Sequence, residues 1–256
     1  MELQALLKRI DEAKIWINDK RPLDEKEVKN LYTYYRVGMT YSSNALEGNT
    51  LTLTETKILL EDGLTAGGKP LRDSYEALGH ADAYDFMLKT AQSEPFTFSE
   101  EMILELHKIF FHRLDESKAG VYRDIQVFIT GTEYIPPPAN EVSALMNKLS
   151  DDLLNKWNNE HPVILAAYAH QKLVDIHPFE DGNGRTARLL MNLILINKGY
   201  QIVSIPPVLR NEYINALSKG RSDGSKTGGV LAKFIAECEI EAQKDFCRMF
   251  HIKLFP

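Results

Sequence analysis

The sequence predicts a mainly α-helical fold that carries one β-hairpin. Apolar side chains recur at intervals of three and four residues along most of the chain, which is the spacing of one helix face. Helix start and stop signals flank several of these runs. The exception is the segment 121–138, where apolar residues recur at every second position, as they do in a half-buried strand.

The first strong helix signal begins at Asp24. Asp24 and Glu27 have the spacing of a capping box, with Asp in the position that Ser or Thr usually holds. Apolar residues continue at helical spacing up to Glu47 and Gly48, and glycine is typical of a helix end. We therefore expect a helix from about residue 25 to 48. Further helices are expected within 54–90, around 103–110, over 140–156, 162–176 and 185–198, around Tyr213 and at the C-terminal end.

The hairpin prediction rests on the segment 121–138. Ile125, Val127 and Ile129 alternate, the residues that follow them have the composition of a turn, and Pro136–Pro138 would end the return strand. No other part of the chain gives a convincing strand pattern.

Composition excludes several classes of function. The formal net charge is −6, so no global basic field favours nucleic acid, and we expect no nucleic-acid partner. Cys238 and Cys247 match neither a disulfide framework nor a zinc pattern and suit a reducing compartment. The longest apolar run, 189–196, is too short to span a membrane, and the N-terminus lacks the apolar centre of a signal peptide. We expect a cytoplasmic protein with no membrane partner.

The stretch 177–185 reads His-Pro-Phe-Glu-Asp-Gly-Asn-Gly-Arg and lies between two predicted helices. His177 precedes a proline, so the helix before it should end there with the imidazole at its C-terminal end. A histidine in that position can take a proton from an attacking hydroxyl. Asp181 offers a hard oxygen ligand to a magnesium ion that bridges phosphates.

The rest of the loop suits an anion. Gly182, Asn183 and Gly184 directly precede a helix, so their amides can point at a phosphate. Arg185 and Arg188 are three residues apart, share one helix face and can make fork-like phosphate contacts.

A purely structural interpretation of the loop competes with the nucleotide site. A polar turn with a helix cap and solvated arginines would explain each piece alone, whereas their ordered combination favours a phosphate-handling site. A zinc site at His170 and His177 is weaker, since no clear third ligand accompanies them.

With Arg188 included, the loop resembles the active-site motif of the Fic family, His-x-Phe-x-[Asp/Glu]-Gly-Asn-Gly-Arg-x-x-Arg, and fills every defined position. The resemblance extends to Gly120–Arg123, Tyr134–Pro137 and His161–His170, so it covers about residues 100–200. Fic proteins fold as a helical bundle with a β-hairpin flap over the active site, which agrees with the pattern above.

The resemblance implies adenylyl transfer, in which AMP moves from ATP to a Ser, Thr or Tyr hydroxyl of a protein and pyrophosphate leaves. It implies a general base (His177), a ligand of Mg²⁺ or Mn²⁺ (Asp181), an anion hole (Gly182, Asn183, Gly184), two β/γ-phosphate ligands (Arg185, Arg188) and a core anchor of the loop (Phe179). Some relatives transfer another phosphate-containing group, but the unaltered loop favours ATP. The expected protein targets of AMP transfer include the chain itself.

The predicted hairpin gains a role from the same resemblance. Thr130, Gly131, Thr132, Tyr134 and Ile135 become candidates for docking the target protein by main-chain pairing. A hairpin that only covers the core is the alternative, and the residues themselves do not favour either.

A second stretch, Ser43-Asn-Ala-Leu-Glu47-Gly48, resembles the family's inhibitory helix, [Ser/Thr]-x-x-x-Glu-[Gly/Asn]. The resemblance implies that Glu47 pairs with Arg188, removes a γ-phosphate ligand and leaves ATP in a non-productive pose. Ser43 and Glu47 are four residues apart and can share one helix face. An ordinary helix end with an exposed glutamate is the alternative. In some relatives the same glutamate is linked to removal of AMP, so both directions stay open.

We expect N-terminal helices over 1–99, a catalytic core over 100–205 and C-terminal helices over 206–256, all in one compact unit. Tyr213 is a candidate nucleotide contact, because the family's adenine pocket is lined by the flap and by the segment after the core. The expected partners are ATP and a protein substrate, which can be the chain itself. A nucleotide-binding regulator with little turnover and an interaction protein are the alternatives, and the sequence leaves a homodimer open.

Overall fold

The computed structural model describes residues 1–19, 23–130, 132–222 and 229–253. Within these ranges the chain forms ten α-helices and two single-turn 3-10 helices, Ala139–Glu141 and Pro207–Leu209. The α-helices are α1 (Leu3–Asn18), α2 (Glu25–Ala45), α3 (Leu53–Asp62), α4 (Leu71–Ala91), α5 (Glu100–Phe111), α6 (Val142–Lys156), α7 (Pro162–Ile176), α8 (Asn183–Asn197), α9 (Arg210–Ser222) and α10 (Gly229–Met249). Most of the Gly/Ser-rich stretch 220–229 lies outside the described residues.

The helix starts follow the capping signals. The Asp24 carboxylate accepts from the Glu27 amide at 2.7 Å, and the Glu27 side chain accepts from the Asp24 amide at 2.9 Å, so the predicted capping box of α2 is confirmed. Thr52 and Glu55 form a second box at α3, which the sequence argument did not include. The α-helix of α2 ends at Ala45, and Leu46 and Glu47 continue as a turn to Gly48.

Helices α7 and α8 form the centre of the bundle. They pack against each other, α4 and α5 pack on α8, and α6 and α10 pack on α7. Twelve of the 15 residues of α7 are buried, which explains its lack of a polar face. No helix in the described part of the chain is both long enough and apolar enough to cross a membrane.

The predicted β-hairpin is wrong, because no strand occurs in the described residues of 121–138. Side chains take the hydrogen bonds that strand pairing would have used: Arg123 donates to the carbonyls of Ile125 and Pro137, and Gln126 donates to Val127 and Pro136. The alternating apolar residues also lack a common buried face, since Ile125 is 52% exposed. Without a buried face, nothing fixes a strand register.

Helices α4 and α5 approach closely at Gly79. A Cβ atom at this position would lie 2.1 Å from the carbonyl oxygen of Phe110, a backbone atom that cannot turn away. The glycine therefore sets the distance between the two helices.

We predict that Gly79→Ala lowers the free energy of unfolding by about 1–3 kcal/mol, because α4 and α5 must separate to admit the methyl group. The matched control is Gly38→Ala in α2, where a Cβ meets nothing within 4 Å. That change should stabilise the chain by about 0.4–1 kcal/mol. Urea unfolding measures both, and equal effects would contradict the close-approach argument.

Candidate active site

His177 ends α7 in an uncommon backbone conformation. Its φ and ψ are 52° and 57°, in the left-handed region, and its amide donates to the Leu173 carbonyl at 2.9 Å. A non-glycine residue in this region is strained and is held there by its surroundings. Its Nδ1 lies 3.3 Å from the Val174 carbonyl. Because a carbonyl only accepts, Nδ1 carries the proton in the neutral ring and Nε2 remains the basic nitrogen.

The surroundings of His177 favour the neutral ring. Burial lowers the pKa of His177 below its ordinary 6.5, the positive charges of Arg123 and Arg221 act in the same direction, and the Val174 carbonyl and Glu47 oppose them. The imidazole is therefore unprotonated at neutral pH and able to accept a proton.

The loop after His177 is anchored by Phe179. The Phe179 ring is fully buried and stacks on the His107 ring at 3.7 Å between centroids. The Asn183 side chain closes the loop, since its oxygen accepts from the Phe179 amide at 2.9 Å and its nitrogen donates to the Phe179 carbonyl at 2.8 Å. The side chain of Asn183 is thus engaged within the loop, and only its backbone is left to face a ligand.

His107 supports the loop from α5 and was not predicted from the sequence. Its Nδ1 accepts from the Gly120 amide at 2.9 Å, so the ring proton lies on Nε2, which donates to the Asp181 carbonyl at 3.1 Å. Burial lowers the pKa of His107 to about 4, so the ring keeps this neutral form.

Only glycine fits at position 182. Gly182 has a φ of +81°, and a Cβ atom there would lie 2.8 Å from the Phe110 ring and 3.2 Å from Nε2 of His107. Gly182 is also the N-cap of α8, so the loop runs directly into the positive end of this helix dipole.

Arg185 is buried in the first turn of α8. One of its terminal nitrogens, Nη1, lies 2.9 Å from the Glu76 carboxylate, and the other, Nη2, donates to Asp181 Oδ1 at 3.0 Å. Its guanidinium carbon lies 4.7 Å from the centre of the Phe110 ring. Nε and Nη1 have no aligned acceptor in the described part of the chain, although Nη1 is within ion-pair distance of Glu76. Buried donors left in this state are suited to an added anion.

Asp181 is partly exposed, and its carboxylate is bound by two arginines, Arg72 and Arg185. Oδ1 accepts from the Gly182 amide at 2.6 Å and from Arg185, and Oδ2 accepts from Arg72 at 2.5 Å. Burial acts to raise the pKa of Asp181, but the charge of Arg185, the Gly182 amide and Arg72 together lower it. The carboxylate is ionised at neutral pH.

Arg188 lies one turn further along α8, and its buried guanidinium is bound by the end of α2. Nε donates to the Ser43 hydroxyl and Nη2 to the Ser43 carbonyl, both at 2.9 Å. Nη2 also donates to Glu47 Oε1 at 2.7 Å. Burial acts to raise the pKa of Glu47, but the charges of Arg188 and Arg185 lower it overall, so the pair is ionic. Glu47 and Arg188 are thus in direct contact, as the resemblance to the inhibitory helix implies.

Gly184 makes room for Glu47. A Cβ atom on Gly184 would lie 2.2 Å from Glu47 Oε1 and 3.2 Å from Arg188 Nη1. The Glu47 carboxylate therefore occupies space directly against the backbone of the first turn of α8. Gly48 follows with a φ of +94° and turns the chain toward α3.

Tyr213 lies beneath Arg188, in α9, and its ring is buried. Its hydroxyl accepts from Arg188 Nη1 at 3.3 Å and lies 2.8 Å from His170 Nε2. In this position it supports the guanidinium from below and has no exposed face for a nucleotide. Burial lowers the pKa of His170 to about 3, so this histidine is a neutral core residue. The described residues hold no group of three or more side chains suited to a metal ion.

The end of α2 is held in place from the segment after the core. Arg210 Nε donates to the Leu46 carbonyl at 2.9 Å, and the hydroxyls of Ser42 and Ser204 share a hydrogen bond of 2.6 Å. These long-range contacts, which the sequence did not reveal, keep Glu47 at the site.

The segment 121–138 borders the site through Arg123 and Tyr134. Arg123 donates to the carbonyls of His177 at 2.8 Å and Pro137 at 2.6 Å. The Tyr134 hydroxyl donates to the Asp175 carbonyl at 2.8 Å. Of the other candidate docking residues, three are exposed and one lies outside the described residues: Thr130, Thr132 and Ile135, and Gly131, respectively.

Comparison with known proteins places these features in a family. Residues 97–195 match the sequence model of the Fic/DOC family. Over 199 residues the chain is 36% identical to the protein adenylyltransferase Fic of Nematostella vectensis, a match that covers 77% of this chain and 45% of that protein. A Drosophila willistoni protein of the same name is 36% identical over 199 residues and covered to 39%.

Solved structures of Fic proteins share the fold of this chain. A Fic domain-containing signaling protein from Bacteroides thetaiotaomicron superposes with a TM-score of 0.84 at 29% identity, covering 92% of this chain and 95% of that one. Fic-1 from C. elegans gives 0.85 at 29% identity, covering 98% and 74%.

The fold and the site define a helical bundle in which the N-terminal end of α8 and two buried arginines lie in the same loop region as an unprotonated histidine. The chain belongs to the Fic/DOC family. It spans less than half the length of the curated relatives named here.

We predict that Arg123→Ala lowers the free energy of unfolding by about 2–4 kcal/mol, because the partly buried carbonyls of Ile125, Pro137 and His177 all lose this donor. Arg123→Lys should recover less than half of the loss, since one ammonium cannot reach the carbonyls of both His177 and Pro137. Arg113→Ala, which breaks an exposed pair with Asp82, is the control and should change stability by less than about 1 kcal/mol. Urea unfolding gives the three values, and an Arg123 effect no larger than the control would refute the bridging role.

Proposed function

We propose that this chain is a protein adenylyltransferase that transfers AMP from ATP to a Ser, Thr or Tyr hydroxyl and is inhibited by its own Glu47. The observation that carries the proposal is the Arg188 guanidinium, which is bound by Ser43 and Glu47 one turn from the loop that we propose binds phosphates. The names of the curated relatives support the same reaction.

The reaction needs a base at the attacking hydroxyl. In the proposed step the target oxygen attacks the α-phosphorus of ATP, Nε2 of His177 accepts the hydroxyl proton, and the bond to the β-phosphate breaks as pyrophosphate leaves. The lowered pKa of His177 keeps this nitrogen free to accept.

The phosphates need donors that are already in position. The backbone of Gly182, Asn183 and Gly184 opens α8, and the Arg185 donors without aligned partners lie in the same turn. We propose that these groups bind the triphosphate, with Arg188 as the γ-phosphate ligand once Glu47 leaves. Such preorganised donors stabilise developing charge without rearrangement during the reaction.

A divalent cation, Mg²⁺ or Mn²⁺, fits at Asp181. The carboxylate is ionised, its side chain is 43% exposed, and Mg²⁺ commonly takes one or two carboxylates together with substrate phosphates. Because no group of three or more metal-binding side chains occurs in the described residues, the remaining ligands would come from the nucleotide and water. When bound, the cation would neutralise phosphate charge.

The proposed inhibition follows from the negative charge of Glu47 and from the space that its carboxylate occupies. Glu47 lies against Gly184 and holds Arg188, so a γ-phosphate cannot use the same guanidinium from the same side. A carboxylate in this place also repels the triphosphate. We propose that the resulting pose directs the α-phosphate away from His177, and that displacement of Glu47 activates the enzyme. Removal of AMP from the target remains open as a second direction for the same residues.

We propose that the target docks along the exposed part of 121–138. Thr130, Thr132 and Ile135 face solvent there, and Tyr134 connects the segment to α7 through Asp175. Docking at this edge would bring a hydroxyl toward His177, whose carbonyl is bound by Arg123.

We predict that Glu47→Gly raises AMP labelling at least roughly tenfold, because Arg188 then becomes a phosphate ligand. Intact-mass spectrometry after incubation with Mg-ATP measures the AMP adduct. Asp62→Gly, the same loss of an acid near the end of a neighbouring helix, is the control and should label like the wild type.

Adding His177→Ala to Glu47→Gly should reduce labelling ~100- to 10,000-fold. Equal labelling of the wild type and Glu47→Gly would refute the inhibitory role. Labelling that survives His177→Ala would refute the base. ATP binding by calorimetry with no labelling of any variant would favour a nucleotide-binding regulator instead.

We also predict how the rate of AMP transfer falls at acidic pH. Burial lowers the pKa of His177 from 6.5, and Glu47→Gly removes a charge that opposes this shift. Transfer by Glu47→Gly should therefore be constant near neutral pH and fall as the pH drops through a midpoint below 6.5. Labelling rates at Mg-ATP concentrations well below saturation test this, because they follow kcat/KM and so report the pKa of the nucleotide-free chain; a midpoint at or above 6.5 would contradict it.

A further inference from the structure

Arg72 is a third arginine at the site and comes from outside the Fic loop. It lies in the first turn of α4, and its side chain is 58% exposed. Nη2 donates to Asp181 Oδ2 at 2.5 Å, and Nε donates to Glu76 Oε1 at 3.1 Å. Glu76 is buried and also lies 2.9 Å from Arg185. Its carboxylate therefore holds Nε of Arg72 close to the site.

Arg72 occupies the one oxygen of Asp181 that a cation could use. Oδ1 is engaged by the Gly182 amide and by Arg185, both of which belong to the loop itself. In the described residues Arg72 is the only donor to Oδ2. A guanidinium and a divalent cation compete for that oxygen, because two positive charges bound to one atom repel each other strongly at such short range.

We propose that Arg72 competes with the divalent cation for Oδ2 of Asp181, so that cation loading requires the Arg72–Asp181 ion pair to open. The proposal rests on the proposed function, since it concerns the metal of the same reaction. The bond to Glu76 keeps the displaced guanidinium beside the site, ready to close again. This gate acts on Asp181 and is separate from the Glu47 contact, which acts on Arg188.

The test titrates Mn²⁺ into the Glu47→Gly chain in the presence of α,β-methylene-ATP, which cannot release pyrophosphate, and reads free Mn²⁺ by electron paramagnetic resonance. Arg72→Ala should tighten the apparent Kd for Mn²⁺ by ~2- to 5-fold, as expected when an exposed ion pair is removed. Arg72→Lys keeps the positive charge and should give less than half of this change on a logarithmic scale. Arg113→Ala removes a comparable exposed pair with Asp82 and should leave the Kd unchanged.

Asp181→Asn supplies the reference for a lost ligand and should weaken Mn²⁺ binding. An unchanged or weaker Kd in Arg72→Ala, with Asp181→Asn weakened, would overturn the competition. An unchanged Kd in Asp181→Asn would overturn it as well, because Asp181 would then not be the ligand. Neither result bears on adenylyl transfer, which stands or falls on the His177-dependent labelling of Glu47→Gly.

Discussion

The structure around the loop depends on a single buried cation, the guanidinium of Arg188. Removing a charge from water is unfavourable unless partners replace the solvent, and breaking a buried pair usually costs several kcal/mol. Here the replacement comes from three residues at two places in the fold: Ser43 and Glu47 at the end of α2, and Tyr213 in α9. Arg188 therefore joins the N-terminal helices, the core and the C-terminal helices at one point. Under the proposed function, the group that α2 satisfies is also the group that ATP requires, so inhibition and local packing use the same contact.

The remainder of the loop is rigid for independent reasons. Asn183 uses its whole side chain on Phe179, and Phe179 stacks on His107, so the backbone between His177 and α8 has little freedom. Gly182 lets the loop pack directly against Phe110 and His107, and Gly184 leaves room for Glu47 against the first turn of α8. Donors held in fixed positions are what electrostatic preorganisation requires. Under the proposed function, only the partners of Arg188 and Asp181 need to change when substrate enters.

The sequence predicted the parts of this site that are local. The loop between α7 and α8 can be read from contiguous residues, and so can the capping box at Asp24. The Glu47–Arg188 contact joins residues 141 positions apart and was expected only through the family resemblance. Arg72, Glu76 and His107 were missed for the same reason: each reaches the site by a tertiary contact, and no local spacing signals it.

The segment 121–138 shows where a residue pattern misleads. Alternating apolar residues in 121–138 predicted strands, but the periodicity says nothing of Arg123 and Gln126, whose side chains take the backbone hydrogen bonds. Tyr213 was expected near the nucleotide only through the family resemblance, and its buried position against Arg188 depends on the packing of α9 on α7. The burial of a side chain, which the sequence does not display, comes from such tertiary contacts.

Crystal structures of the wild type and Glu47→Gly with Mg²⁺ and a non-hydrolysable ATP analogue test the central claim most directly, through the distance from Arg188 to the γ-phosphate. We expect Arg188 to remain bound to Glu47 in the wild type, with the γ-phosphate out of its reach. In Glu47→Gly we expect the γ-phosphate within hydrogen-bond distance of that guanidinium and the α-phosphate facing His177. The same triphosphate pose in both proteins would contradict the account.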